Sequence, residues 1–489
     1  MQLKELLSGY KFKDMSGVEF IDTEVLGITS DSREVGPGFL FAALPGENVD
    51  GYDFIMDAVN AGAVAVLTPD KAPSKMKANS SVCFIPDPNP RKQYAKMVGR
   101  FYKSQPQHVV AVTGTNGKSS VAEFTRQIWQ ICDRPAASIG TLGLVAPWGS
   151  ESGHLTTPDP IELHKALLRL NKGGIEHVVI EASSHGLSQF RLDGIDVGIA
   201  AFTNLSRDHL DYHETMESYF DAKYRLFTEV LNPGGVAVIN SDDKMAIKIS
   251  RMLKKRNINL IDFGKSASDV ILENIEAFPD GQRLSLSVFG RAYNLMLPLI
   301  GNFQSMNALC ALAIVIASGL NPETATRSLS KLQGVKGRME LVECTANDSR
   351  IFVDYAHTPN ALENVLNSLR AYTKNKLKIV FGCGGNRDHG KRPKMGKIAT
   401  QLADEVIITD DNPRYENAAQ IRAQIKSASP GAIEIADRMD AITTAVKSLS
   451  TGDLLVIAGK GHEKGQLIEG VEMPFDDVEA VRSVVRGNL

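Results

Sequence analysis

"VVAVTGTNGKSSVAEF", Val109 to Phe124, decides how the rest of the chain is read. An apolar, largely β-branched run stops at Thr113, a short loop follows, and Lys118-Ser119-Ser120 open what reads as a helix. This is the layout of a phosphate-binding loop. The common pattern, however, has a glycine five residues before its Gly-Lys pair, and Val112 stands there. Gly114 and Gly117 let backbone N–H groups approach phosphate oxygens, and a helix start offers unpaired N–H groups and a positive dipole end. Lys118 supplies a point charge for the outer phosphates, and Ser119 can ligate Mg²⁺. The alternative is an ordinary glycine-rich strand–helix turn.

Outward from this stretch, short apolar runs recur, each ending in polar residues. "HVVIEASS", "VGIAAFTNL" and "GGVAVINSDD" read as buried strands alternating with helices up to about residue 336. Val270–Leu299 reads as antiparallel hairpins appended to them. Beyond Gly334–Glu340, "RIFVDYAH", "LKIVFGCGGNRD", "EVIITDDNPR" and "DLLVIAGKGHE" are again strands running into polar tips. Before the proline-rich loop Pro86–Gln93 the pieces are smaller. The expected fold is α/β in three domains. A small N-terminal α/β domain spans 1–88, a central nucleotide-binding domain with a mostly parallel sheet spans 89–336, and a Rossmann-like domain spans 337–489. No repeat or low-complexity tract is visible.

The bulk properties narrow the class. A chain of 489 residues exceeds one core, and 43% hydrophobic with 23% charged residues is ordinary for a soluble protein. A net charge of −3 and a pI near 6.4 give no global field for nucleic acid. Five scattered cysteines without a CxxC pair argue for a reducing compartment. The N-terminus lacks an apolar signal segment, and runs such as Ala308–Leu320 are too short to span a bilayer. The expectation is a cytoplasmic protein with no nucleic-acid or membrane partner.

Strand ends are where ligands bind in open parallel sheets. Glu181 leaves one such end, where an ionised carboxylate needs a partner. Thr203–His213 puts Asn204, Asp208, His209 and Asp211 at another; they suit Mg²⁺ or, equally, helix capping. Lys223 stands alone in the apolar and aromatic stripe Phe220–Phe227, where snorkelling or an acid partner is the plain reading. The loops Gly384–Pro393 and Asp410–Arg414 are basic; they are either surface charge or a convergent anion site, since arginine forks bind carboxylates bidentately.

Taken together, "GTNGKSS", "EASSHGL", "TNLSRDHLDYH", "DAKYRLF", "GNFQSMN", "GRME", "DYAHTP" and "GKGHE" resemble, in order and across essentially the whole chain, the Mur ligases of peptidoglycan synthesis. The short phosphate loop resembles that family's variant. The resemblance implies an ATP-dependent acid–amino-acid ligase working through an acyl phosphate, here adding meso-diaminopimelate to UDP-N-acetylmuramoyl-L-alanyl-D-glutamate. It implies ATP on Gly114, Thr115, Asn116, Gly117, Lys118, Ser119 and Ser120, positioned by Asn302, Asn307, Arg338 and Asp354. Lys118, Glu181, His209 and Lys223 would be the catalytic set. Mg²⁺ would be held by Ser119, Glu181, His209 and a carbamylated Lys223 (N6-carboxylysine).

For the nucleotide-sugar, the resemblance points to Ser30 and Ser32, and to Glu47, Asn48 and Val49, in the N-terminal unit. Around the muramoyl peptide it points to Thr156, Thr157, Ser183, Gln189 and Arg191. For diaminopimelate it points to Arg387, Asp411, Asn412, Pro413, Arg414, Gly459 and Glu463. Arg414 is the informative one, because diaminopimelate carries one carboxylate more than lysine. The partners implied are small molecules, and the protein is expected to act as a monomer. Folylpolyglutamate synthase, another amide ligase with a similar "GTNGK" loop, is the alternative; it needs neither the N-terminal uridine unit nor "DNPR". A non-catalytic nucleotide-binding role is a third reading.

Overall fold

The computed structural model describes residues 1–10, 22–46, 49–69, 82–345 and 348–487. Glu47 and Asn48 therefore lie outside the described residues. Three main sheets organise the chain.

The first sheet joins β1 (Gly27–Thr29), β2 (Phe39–Ala42), β3 (Ala65–Thr68) and β4 (Cys83–Pro86), all parallel and in that order. Leu40, Ala42, Leu67 and Ile85 bury one face against Leu3 and Leu6. The helix Pro90–Tyr102 begins with Asn89 as its cap and adds Tyr94, Met97 and Val98 to this same core. This helix therefore packs on the first sheet's core. An amphipathic helix declares its apolar face but not the sheet that face will meet.

The central sheet holds β5 (His108–Thr113), β6 (Ala136–Gly140), β7 (Gly143–Ala146), β8 (Gly149–Glu151), β9 (His177–Glu181), β10 (Val197–Phe202), β11 (Leu231–Asn240), β12 (Asn259–Gly264), β13 (Val270–Phe278), β14 (Gly281–Val288) and β15 (Arg291–Leu297). Their order is β15-β14-β13-β12-β11-β10-β5-β9-β6-β7-β8. From β13 to β6 every neighbour is parallel, while β13–β15 and β6–β8 are antiparallel flanks.

The continuous apolar run of β5 follows from burial on both faces. Val110 and Val112 join one core with Phe124 and Ile128, whereas Val109 and Ala111 join the other with Leu163 and Leu167. The helix Asn302–Ala317 is apolar nearly all round because it is packed on several sides. Among the described residues no helix is long and apolar enough to cross a membrane.

The third sheet comprises β16 (Glu340–Cys344), β17 (Arg350–Asp354), β18 (Leu377–Phe381), β19 (Glu405–Ile408), β20 (Ile433–Glu434) and β21 (Leu454–Ala458), ordered β16-β17-β21-β18-β19-β20. Only the edge strand β16 is antiparallel. Asp354, Ala458 and Phe381 lie in register, so the polar tips after β17, β21 and β18 emerge along one edge. A separate hairpin, β22 (Gly465–Ile468) with β23 (Val471–Pro474), stands beside that edge.

Candidate active site

The opening loop is built around its glycines. Gly114 and Gly117 have φ of 149° and 87°. A Cβ on Gly114 would lie 1.9 Å from Thr203 Oγ1, and one on Gly117 would lie 2.3 Å from Asn307 Oδ1. Neither position admits a side chain. Asn204 braces the loop reciprocally, its Oδ1 accepting from Asn116 N at 3.0 Å and its Nδ2 donating to Asn116 O at 3.0 Å. Lys118 folds back, donating to the carbonyls of Gly114 (2.9 Å) and Thr115 (2.8 Å).

Below the loop, the Glu181 carboxylate is 2% exposed. It accepts from Ser119 Oγ (3.0 Å), Thr141 N (2.9 Å) and Thr141 Oγ1 (3.2 Å), which answers its need for partners. Lys223 is 1% exposed, donates to Gly114 O at 2.8 Å and sits 4.4 Å from the Tyr219 ring centroid. It neither snorkels nor meets an acid. Burial, reinforced by the charge of Lys118, pushes its amine well below the ordinary lysine range.

His209 opens a short helix with φ of 52°. Burial, only partly opposed by Asp208, lowers its imidazole to about 3, so it is neutral and keeps a lone pair. Asp208 would be raised by burial, but His209, His357 and Lys391 hold it below the ordinary carboxylate value. Asp211, from the same sequence cluster, is exposed.

These groups line a cavity of about 490 Å³ that the third sheet completes with Arg338, Asp354, His357 and Asn360. Arg338 donates to Ser119 Oγ at 3.2 Å and lies 4.1 Å from the Tyr355 ring centroid. The oxygens of Asp354 accept from Met339 N (2.6 Å) and Ala356 N (2.7 Å), which pins the segment carrying Arg338. Asn116 Nδ2 reaches Asn360 Oδ1 at 3.2 Å, and Arg207 forks onto Asp388 at 3.0 and 3.2 Å. Asn307 lines the cavity; Asn302 is exposed and does not.

Thr156, Thr157, Ser183, Gln189 and Arg191 are brought together beside this cavity. Thr157 Oγ1 donates to Glu181 O at 2.7 Å and accepts from Ser183 N at 2.9 Å. Arg191 donates to Thr157 O (2.6 Å) and Gln189 Oε1 (2.7 Å). In the first sheet's unit, Ser30 is exposed and Ser32 half-buried on the loop after β1, and Val49 is exposed.

A second cluster forms at the ends of β18, β19 and β21. Asp411, Asn412 and Pro413 are buried, and Gly459, with φ of 118°, lets Asp411 Oδ2 approach to 2.5 Å of where a Cβ would stand. Asn412 Nδ2 donates to Glu463 Oε2 at 2.9 Å. Arg414 adopts φ of 55°, and its backbone is stitched to the hairpin by Arg414 N to Leu467 O (2.9 Å) and Glu469 N to Arg414 O (2.7 Å). Burial lowers its guanidinium, and the like charge of Arg387 lowers it further. Arg387 is exposed.

Several of these residues were not singled out from the sequence. Thr141, His357, Asn360 and Tyr219 line the cavity, and Lys460 is fully buried behind Asn412 and Glu463. Lys460 carried a signal, a lysine between two glycines at a strand end. Thr141 carried none, since the β6–β7 turn resembles any loop.

Among the described residues no three His, Cys, Asp or Glu side chains converge as a metal cage. A cation that takes most of its ligands from phosphates and water needs only one or two protein carboxylates.

A three-unit α/β protein with strand-end clusters facing one cleft is the class that fold and site define. The chain belongs to the Mur ligase family. Profiles described as "Mur ligase family, catalytic domain", "Mur ligase middle domain" and "Mur ligase, glutamate ligase domain" match residues 24–109, 112–315 and 337–461. A Rhizobium meliloti protein named UDP-N-acetylmuramoyl-L-alanyl-D-glutamate--2,6-diaminopimelate ligase is 46% identical, covering 98% of this chain and 99% of its own. A solved structure with that same enzyme name is 33% identical, covers 100% of this chain and 99% of its own, and has a TM-score of 0.72. Folylpolyglutamate synthase from Mycobacterium tuberculosis shares the fold at a TM-score of 0.64 and 18% identity over 81% of this chain and 94% of its own.

Proposed function

We propose that this chain is the ATP-dependent ligase that joins meso-diaminopimelate to UDP-N-acetylmuramoyl-L-alanyl-D-glutamate. The observation that carries the reading is the shared cavity: the Gly114–Ser120 loop, Glu181, His209 and Lys223 face Arg338, Asp354 and His357 across it. Full-length similarity to enzymes named for this reaction supports it.

In this mechanism ATP lies on the loop. Lys118 exchanges the Gly114 and Thr115 carbonyls for phosphate oxygens, and Arg338 supplies a second positive charge from the third unit. The D-Glu γ-carboxylate forms a bond to the γ-phosphorus as the bond to ADP breaks. Thr156, Thr157, Ser183, Gln189 and Arg191 hold the muramoyl peptide, while Ser30, Ser32 and the 47–49 loop hold its nucleotide. The amine of diaminopimelate then attacks the acyl carbon, phosphate leaves, and the nitrogen sheds its proton. Arg387, Asp411 to Arg414, Gly459 and Glu463 hold that amino acid.

Mg²⁺, when bound, neutralises charge between the two polyanions. Ser119, Glu181, His209 and the carbamate of Lys223 would hold it, and their chemistry fits: a paired carboxylate, a neutral imidazole, and a lysine whose charged form burial disfavours. The neutral amine is the form that adds CO₂, losing one proton as the N–C bond forms. Asn302 is left as an outer contact to the nucleotide. The enzyme works as a cytoplasmic monomer on small molecules.

Phosphate release from ATP, measured with the UDP-muramoyl dipeptide and meso-diaminopimelate, L-lysine or L-ornithine in turn, tests the reading. Release should require both substrates and favour diaminopimelate; release indifferent to the dipeptide would overturn it.

A further inference from the structure

Lys460 follows Gly459 at the end of β21 and is 0% exposed. A lysine so enclosed must spend its charge on something. Its Nζ donates to Asn412 Oδ1 at 3.1 Å and to Glu463 Oε2 at 3.0 Å. Asn412 Oδ1 also accepts from Leu467 N at 2.9 Å, so both of its lone pairs are used. Turning that amide over would set an NH₂ group against an ammonium and a backbone N–H, three donors with no acceptor. The orientation of Asn412 is therefore fixed by its neighbours.

The consequence falls on the groups left without a partner. One Nδ2–H of Asn412 is taken by Glu463 Oε2 at 2.9 Å, which leaves the other. Glu463 Oε2 accepts two bonds, while Oε1 has no protein hydrogen-bond partner among the described residues. Nearby Arg438 is committed elsewhere, forked onto Asp477 at 2.7 and 2.7 Å. Lys460 is thus the cation paired directly with Glu463, and it leaves Glu463 Oε1 open to a ligand ammonium.

We infer that Lys460 is a positioning residue for amino-acid recognition, sorting the pocket wall into one acceptor, Glu463 Oε1, and one donor, the free Nδ2–H of Asn412. That pair matches the ammonium and carboxylate of an α-amino-acid head group. The inference rests on the proposed assignment of this cluster to the incoming amino acid. Lys460 touches neither substrate nor phosphate; it acts through Asn412 and Glu463.

The test is steady-state phosphate release by the full-length enzyme with Lys460→Met. The KM for meso-diaminopimelate should rise about 10- to 100-fold, as expected for losing hydrogen bonds to a charged group, with the KM for ATP changing less than about twofold. A general loosening would move both KM values together, and that result, or an unchanged diaminopimelate KM, overturns the inference. Should Lys460→Met fail to fold, Lys460→Gln keeps a donor for Asn412 but removes the cation beside Glu463, so the diaminopimelate KM should still rise, by less than about tenfold, with the ATP KM unmoved; equal rises in both, or none, overturn the inference. Wild-type protein that does not use diaminopimelate would remove the functional reading itself. Wild-type activity beside an unaltered Lys460→Met KM removes only the role of Lys460.

Discussion

Lys118 and Lys223 donate to the same acceptor, the carbonyl oxygen of Gly114, at 2.9 and 2.8 Å. The two amines compete for one carbonyl; burial disfavours the charged form of both, and the charge of Lys118 disfavours that of Lys223 further. Placing two like charges side by side works against stability, as groups arranged for function often do.

Two substitutions separate the roles. Lys118→Ala should abolish ligation at saturating ATP while leaving the unfolding midpoint at or above wild type, because a repelling charge is gone. Lys223→Ala should be similarly inactive, and short carboxylic acids should restore part of its activity by replacing the missing carbamate. Phosphate release with and without added acid, alongside urea unfolding, reads both. Near-normal turnover by Lys118→Ala would remove the phosphate-loop role.

Closure of the third unit onto the central one should depend on the Arg207–Asp388 fork, which is 41% exposed on the arginine side. An exposed pair contributes only about 0.2–1 kcal/mol. Arg207→Asp or Asp388→Arg alone should therefore lower kcat/KM by less than about tenfold, and the double exchange should regain most of it. A double exchange no better than either single change would show that the fork does not join the units.

Acid stability has a source remote from the site. His164 is 3% exposed, and burial lowers it to about 4 from its ordinary 6.5. As pH falls below 6.5 the unfolded chain takes up a proton that native His164 refuses, so stability declines until the native value is reached. At pH 5 the loss is about 2 kcal/mol from this residue. His164→Phe should flatten the fall in urea midpoint between pH 7 and pH 5; an unchanged slope would place the loss elsewhere.

What was legible in the sequence were the strands buried on both faces, because β-branched runs such as Val109–Thr113 have no other comfortable place. Their polar ends marked Glu181, His209 and Asp411–Arg414 for the same reason. The hairpin β22–β23 was not legible. It holds Arg414 through backbone bonds, and backbone pairing leaves no trace in side-chain type. Asn302 matched a motif yet stands outside the cavity lining, since helix position and not residue identity decides which way it faces.

Arg414 is where substrate choice should be decided. Its guanidinium is half-buried, donates to Gly385 O at 2.9 Å, and lies 2.7 Å from where a Cβ on Gly384 would stand. Burial and Arg387 both disfavour its charge, so an incoming carboxylate relieves two penalties at once. Diaminopimelate brings a distal carboxylate and lysine does not. Leaving a partly buried cation unpaired costs about 3 kcal/mol, roughly two orders of magnitude in kcat/KM. Wild type should therefore prefer diaminopimelate over L-lysine by at least about 100-fold. Arg414→Ala should lose a comparable factor with diaminopimelate while the KM for ATP stays near wild type, and it need not gain lysine activity, because deleting one cation builds no lysine pocket. Gly384→Ala should mimic the loss in part by crowding the guanidinium without removing it. Equal use of the two amino acids by wild type, or unaltered diaminopimelate kinetics in Arg414→Ala, would take the specificity role away from Arg414.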